Sequence, residues 1–185
     1  MKYEVIDNFL DEDDFEDLEE LFIVKGEEGD KGQIPWYYTL SVSKPDLIED
    51  NIFYMTHKLY DDNTTDTKHY YSKWYTDLMP LLEKLEQPRK LLRIKANLYP
   101  NTEILHEHPM HIDYPFSHTG ALLSLNTCDG YTKLKDGTKI NSVANRILFF
   151  DASEEHCSTT TTNVPARFNI NINYIDERLL CLDSF

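Results

Sequence analysis

Cysteine, positive charge and long apolar runs are what this 185-residue chain has little of. Its three cysteines, Cys128, Cys157 and Cys181, are odd in number and show no Cys-x-x-Cys spacing. Neither a disulfide framework nor a four-cysteine zinc site is expected, and a reducing cytoplasm is the compartment that fits. Eighteen lysines and arginines stand against 33 aspartates and glutamates, a formal charge of −15. That balance works against nucleic-acid phosphates or anionic lipid as partners. The one dense basic cluster is Arg89-Lys90, Arg93 and Lys95. No apolar run approaches the length of a membrane span, and Met1-Lys2-Tyr3-Glu4 lacks a basic-then-apolar signal layout. Internal repeats and low-complexity linkers are missing too. What remains is a globular composition, 41% hydrophobic and 12% aromatic, at a length that suits one domain over 1–185.

A short strand is expected at 3–6, followed by an amphipathic helix over about 12–24. Asp7, Asn8 and Asp11 are cap-type residues, and Phe15, Leu18, Leu21 and Phe22 recur at helical spacing. The many acidic residues of this stretch read as a solvated helix face. A charged loop at 25–33 leads into an aromatic strand at 35–40. Residues 43–67 carry no clear period, and 61–67 are turn-like. The spacing of Trp74, Leu78, Leu81, Leu82 and Leu85 predicts a second helix over 68–85.

From Leu91 onward the period becomes two, the pattern of an antiparallel sheet. Arg93, Lys95, Asn97 and Tyr99 share one face of a strand, as do Ser124 and Asn126 of another. Arg167, Asn169, Asn171 and Asn173 do the same near the end of the chain. The apolar opposite faces suit packing on helices. The polar faces suit either plain solvent or the interior of a closed, double-sheet barrel that holds a polar ligand. Asp136-Gly137 marks a hairpin between 131–134 and 138–140.

The stretch 106–113 holds three of the seven histidines and the dyad His111-Ile112-Asp113. On an extended strand, residues i and i+2 face the same way, so one segment presents an imidazole and a carboxylate together. A second histidine, His156, follows an apolar strand 45 residues later. Together the three make a two-histidine, one-carboxylate facial set, which leaves open positions on an Fe(II) ion. Arg167, eleven residues beyond His156, offers a planar fork for a carboxylate. A metal and an arginine together are what chelation of a 2-oxo-dicarboxylate needs.

These motifs resemble the 2-oxoglutarate/Fe(II)-dependent oxygenases, and within them the prolyl-4-hydroxylase-like branch. The resemblance covers about 91–174: Ala96-Asn97-Leu98-Tyr99-Pro100, His111-Ile112-Asp113, Ser124-Leu125-Asn126, the strand before His156, and Arg167 before Asn169-Ile170-Asn171. Val5-Ile6-Asp7-Asn8-Phe9-Leu10 also resembles the start of such enzymes, and Asn126-Thr127-Cys128-Asp129-Gly130-Tyr131-Thr132 is similar to small oxygenases carried by marine cyanobacterial phages. The resemblance implies a double-stranded β-helix (jelly roll) core at 91–175, buttressed by a mostly helical support region at 1–90. It implies Fe(II) on His111, Asp113 and His156, and 2-oxoglutarate on Arg167 and Tyr99, with O2 as the second co-substrate. The implied activity is hydroxylation of a C–H bond, with release of succinate and CO2. A peptidyl proline, another protein side chain or a small molecule would be the substrate, in the cytoplasm of a host cell if the chain is phage-borne. Ser124 stands where relatives carry tyrosine and Asn169 where they carry a hydroxyl residue, so the contact to the far carboxylate runs through one or the other.

Two other readings fit the same residues. One is a cupin-type metalloenzyme using His106, His108, His111 and His156 without 2-oxoglutarate. The other is a jelly-roll binding module without activity. His106 and His108 are read either as hydrogen-bonded bystanders or as substrate and metal-support residues. His57, His69 and His118 are expected to be structural, and Arg93, Lys95 and Arg146 to be salt-bridge partners.

Overall fold

The structure, a computed structural model, describes residues 2–23, 34–40, 52–62, 69–85 and 90–176. The charged loop at 25–33, the turn-like 63–67, Val24, Arg89 and Cys181 lie outside the described residues. The chain opens with β1 (Tyr3–Ile6) and α1 (Glu12–Phe22). Acidic residues fill the first turn of α1, where they oppose the helix dipole, and Phe15, Leu18 and Phe22 form its buried stripe. β2 (Tyr37–Thr39) and β3 (Tyr54–Asp61) follow.

The helix expected over 68–85 is a correction. Its place is taken by β4 (Tyr70–Tyr71), a 3-10 turn at Tyr75–Leu78 and the short α2 (Met79–Lys84). Pro80 sits in the first turn of α2 and has no amide proton to bond backwards. A continuous helix would be interrupted there, whereas a helix that starts there loses nothing. Leu78, Leu81 and Leu82 still face the core as their spacing required. Among the described residues before Lys90, α1, the 3-10 turn and α2 stand beside β1 to β4.

The second half is β5 (Lys90–Pro100), β6 (Thr119–Ser124), β7 (Tyr131–Leu134), β8 (Lys139–Asn141), β9 (Arg146–Asp151), β10 (His156–Cys157) and β11 (Ala166–Ile175). Two antiparallel sheets result. The larger runs β1-β9-β6-β11-β5-β3-β2, with β4 also on β3, and the smaller runs β10-β7-β8. Bridges His111↔His156 and Glu107↔Thr159 extend the smaller sheet by the segment before Asp113. This is the jelly-roll architecture that the resemblance implied, built of the antiparallel strands that the alternating segments predicted. Gly137, at φ +88°, turns the β7–β8 hairpin, and Asp136 Oδ1 accepts the Thr138 amide across it.

The apolar faces of β5, β6, β9 and β11 point outward and carry the helices. Ile94, Ala96, Leu123, Ile147, Ile170 and Ile172 share one core with Phe15, Leu18 and Phe22 of α1 and Leu81 and Leu82 of α2. Burial of this apolar area supplies the driving force, and it dictates by alternation that every second residue faces the other way. Those inward residues are Arg93, Lys95, Asn97 and Tyr99 on β5 and Arg167, Asn169, Asn171 and Asn173 on β11. Among the described residues, no helix is long and apolar enough to cross a membrane.

Candidate active site

His111 and His156 are direct cross-strand partners, each amide donating to the other's carbonyl at 2.9 Å. That pairing puts both imidazoles on one face, with ring centroids 4.6 Å apart. Asp113 follows two residues on, its amide donating to the Ala152 carbonyl at 3.0 Å. One ligand atom from each of His111, Asp113 and His156 lies within 4.8 Å of the other two. The Nδ1 atoms face carbonyl oxygens, Pro109 for His111 at 3.3 Å and Glu154 for His156 at 3.0 Å. A carbonyl can only accept, so Nδ1 carries the proton and the Nε2 lone pair is left for a metal. Burial, then the neighbouring His156, push the His111 imidazole down to about 4, which keeps it neutral and ligand-ready.

Asp113 is fixed by three side chains from the large sheet. Arg93 Nη2 donates to Oδ1 at 2.9 Å, while Asn171 and Asn173 donate to Oδ2 at 3.0 Å and 2.8 Å. Burial alone would raise this carboxyl. The charge of Arg93, with His156, Lys95 and the Asn171 amide, outweighs it and holds the group well below the usual carboxylate range. The donor set, two imidazole nitrogens and one carboxylate, fits Fe(II) or Mn(II) and leaves part of the coordination sphere free of protein.

Beside the triad is a small cleft of about 30 Å³, partly open to solvent, whose walls include Lys95, Asn97, Tyr99, Thr132, Ser158 and Asn169. Its polar groups are under-used. Asn97 donates to Asn169 Oδ1 at 2.8 Å, yet the buried Asn97 Oδ1, Asn169 Nδ2 and Asn171 Oδ1 have no partner. Buried polar atoms of this kind call for a ligand or water. Tyr99 is stacked between Tyr54 and His108, at ring distances of 5.7 Å and 5.2 Å, and burial raises its phenol.

Arg167 pairs in register with Tyr99 and is only 1% exposed. Its guanidinium donates to the carbonyls of Tyr131 and Thr159 at 2.9 Å and 3.3 Å and to Thr132 Oγ1 at 3.0 Å. The buried Nε has no partner, and among the described residues no carboxylate lies within ion-pair reach. Burial lowers its pKa. Gly130 makes this position possible, since a Cβ there would lie 2.7 Å from the Arg167 Cδ. Arg167 is thus behind the cleft wall, at the Tyr99 end, and touches it through Thr132. Ser124 lies opposite Asn169 in register and is buried, but it is not part of the wall. Of the four residues expected to hold the co-substrate, Tyr99 and Asn169 face the cleft while Arg167 and Ser124 stand behind it.

His106 and His108 do not join the His111–Asp113–His156 cluster. His108 is buried, shares a hydrogen bond with Ser158 Oγ at 3.0 Å, and has an unpartnered Nε2. Burial, then His106, push its imidazole down to about 4 from an ordinary 6.5. Below pH ~6.5 the unfolded chain takes up a proton that the native chain refuses, so the metal-free protein loses stability as pH falls towards ~4 and levels off below. His108→Gln should flatten this loss by about 3 kcal/mol, read as a smaller change in melting temperature between pH 7 and pH 4. An unchanged slope would show that His108 is not held neutral.

The other singled-out groups are structural. His57 bonds Pro35 O and Ser72 Oγ, both at 2.8 Å, His69 pairs with Asp62 at 2.8 Å, and Arg146 forks onto Asp7. His118 contacts Asn173, a residue that holds Asp113. Arg93 is a salt-bridge partner as expected, but its partner is the triad carboxylate. Arg93, Asn171 and Asn173 are the site residues that sequence reasoning missed. Their signal was present in the alternation, because each shares an inward face with Tyr99 or Arg167.

Comparison with known structures bears on the fold. The chain is similar to a 2OG-Fe(II) oxygenase family oxidoreductase from Burkholderia pseudomallei, at 11% identity over 94% of this chain and 84% of that one, with a TM-score of 0.70. It is also similar to a prolyl hydroxylase from Trichoplax adhaerens, solved with a hypoxia inducible factor peptide, at 15% identity over 99% and 87%, TM-score 0.61. The non-heme alpha-ketoglutarate-dependent epimerase SnoN from nogalamycin biosynthesis gives 11% identity over 94% and 76%, TM-score 0.56. No protein-family profile and no curated protein matches the chain. The fold is the jelly roll that 2OG-Fe(II) oxygenases use.

Proposed function

We propose that this chain is an Fe(II)- and 2-oxoglutarate-dependent dioxygenase that hydroxylates a C–H bond and releases succinate and CO2. The observation that carries this is the convergence of His111, Asp113 and His156 beside a polar cleft with a buried, carboxylate-free guanidinium behind its far end. His111, Asp113 and His156 would hold the iron, which with 2-oxoglutarate and O2 supplies the oxidising chemistry. Arg93, Asn171 and Asn173 keep the Asp113 carboxylate ionised and aimed. The Nδ1–H bonds of His111 and His156 fix the ring tautomers. Tyr99, Asn169 and the Thr132–Arg167 pair offer donors to the far carboxylate of the co-substrate, with Ser124 supporting Asn169 from the next strand. A peptide is the favoured substrate, by likeness to the Trichoplax adhaerens enzyme, with a prolyl or other side chain oxidised in the cytoplasm. Nucleic acid is disfavoured by the charge of −15.

The test is anaerobic titration of 2-oxoglutarate into the Fe(II)-loaded protein. Keto acid chelation is expected to produce a visible metal-to-ligand charge-transfer band. If millimolar 2-oxoglutarate neither binds nor produces the band, the oxygenase reading fails, and a metalloenzyme that uses no keto acid or a binding module replaces it.

A further inference from the structure

The basic cluster on β5 is not exhausted by the metal site. Lys90 is paired with Asp62 at 2.9 Å and Arg93 with Asp113 at 2.9 Å. Lys58, the direct cross-strand partner of Lys95, is paired with Asp61 at 2.6 Å. Lys95 alone among these described cations has no carboxylate within ion-pair reach, although the chain carries an excess of acid of 33 to 18. It faces inward, lines the cleft with His111 and Asp113, and lies with its ammonium 5.6 Å from the Tyr54 ring. Both oxygens of Asp113 are already engaged, by Arg93 and by Asn171 and Asn173. Like charges on directly opposed strand residues, as at Lys58 and Lys95, are destabilising, and the half-buried Lys95 has no carboxylate partner to offset that cost. An arrangement that fold stability disfavours points to a ligand.

Register separates this cation from Arg167. Asn171 lies opposite Lys95 and Arg167 opposite Tyr99, four residues further along β5. At about 3.3 Å per residue the backbone positions of the two residues are ~13 Å apart along the sheet. Asp113 is held by Asn171 and Asn173, so the triad lies at the Lys95 end. A co-substrate reaching from the triad to Arg167 leaves Lys95 beside the open part of the site, where the carbon to be oxidised must lie.

We propose that Lys95 anchors a carboxylate of the molecule that is oxidised, so that the substrate is an acid. The inference rests on the oxygenase reading above. A compact ammonium suits a carboxylate as a point charge, and a phosphate polyanion is opposed by the field of so acidic a protein. The carboxylate belongs either to a free acid or to an acidic side chain of a peptide.

The experiment uses the full chain loaded with Mn(II) and saturating 2-oxoglutarate, and reads binding by calorimetry. The probes are free aspartate and glutamate against asparagine and glutamine, and a blocked glutamate–proline peptide against its glutamine counterpart. Wild type is expected to prefer acid over amide by about tenfold or more in one of the two pairs, the free or the peptidic, and that pair names the source. Lys95→Met should bring the preference to within about twofold and Lys95→Arg should retain most of it. 2-Oxoglutarate affinity should be unchanged in both, and the ligand-free melting temperature of Lys95→Met should be equal or higher. Three results overturn the proposal. The first is that wild type binds no acid better than its amide; the second is that Lys95→Met weakens 2-oxoglutarate itself, which makes Lys95 a co-substrate clamp; the third is that Lys95→Met lowers the melting temperature, which makes it structural. Failure of wild type to bind 2-oxoglutarate at all is a separate result and overturns the oxygenase reading instead.

Discussion

Asp113→Ala is expected to abolish the rise in melting temperature that Fe(II) or Mn(II) gives the wild-type chain. A metal that binds the native state and not the unfolded one stabilises by mass action, about 2.7 kcal/mol at a hundredfold excess over its Kd. For a chain of this size that is a rise of roughly 5–10 °C. Asp113 is the single anionic member of the triad, and its three donors hold it in place before any metal arrives. Its removal also strands Arg93, whose guanidinium is bonded to Asp113 and Asn173 inside the barrel. The metal-free variant should therefore be less stable by about 3 kcal/mol, the usual cost of leaving one partner of a buried pair alone. Asp113→Asn keeps the shape and part of the hydrogen bonding, and separates the two effects. Each variant is compared with its own metal-free form, so the structural loss cancels. A metal response equal to wild type in both variants would remove Asp113 from the site.

The second large effect concerns Arg167. A buried guanidinium that meets two carbonyls, a hydroxyl and the face of the Tyr99 ring, but no carboxylate, is under-compensated, because dipoles offset a full charge poorly in a low-dielectric interior. A dicarboxylate co-substrate would supply the missing charge. Arg167→Ala is expected to weaken 2-oxoglutarate binding by about a hundredfold or more, and Arg167→Lys, which keeps the charge and loses the fork, by about tenfold. Iron affinity should be unchanged in both, since Arg167 is not a ligand. Arg167→Ala also frees Thr132 and leaves a gap against Gly130, so the lysine variant guards against a simple folding defect. Titration of the charge-transfer band reads both affinities. Equal 2-oxoglutarate affinity in wild type and Arg167→Ala would show that the arginine only ties Tyr131, Thr132 and Thr159 together, and Lys95 or Asn169 would inherit the carboxylate.

Local chemistry carried some elements of this fold completely. The period of two in β5 and β11 divided each strand into its apolar and polar faces, since burying one face of a strand forces the alternation, but it left open whether the polar face met solvent or a barrel interior. Asp136-Gly137 announced its hairpin because few residues accept a positive φ. Leu81 and Leu82 reached the core although the helix around them was drawn too long, since the pattern of burial is decided by spacing and the helix start by Pro80. β3 was missed because its burial is not alternating, with a register shift between Lys58 and Tyr60.

The dyad His111-x-Asp113 was visible in the sequence because two residues on one extended segment need no other chain to face the same way. The meeting of His111 with His156, by contrast, is a cross-strand pairing 45 residues apart, and only the assembled smaller sheet makes it. The same holds for the grip of Arg93, Asn171 and Asn173 on Asp113 and for the isolation of Lys95. Each residue type and its inward face were written in the local pattern. Which charge finds which partner depends on how the two sheets close over one another, because electrostatic pairing is settled by distance across the barrel and not by distance along the chain.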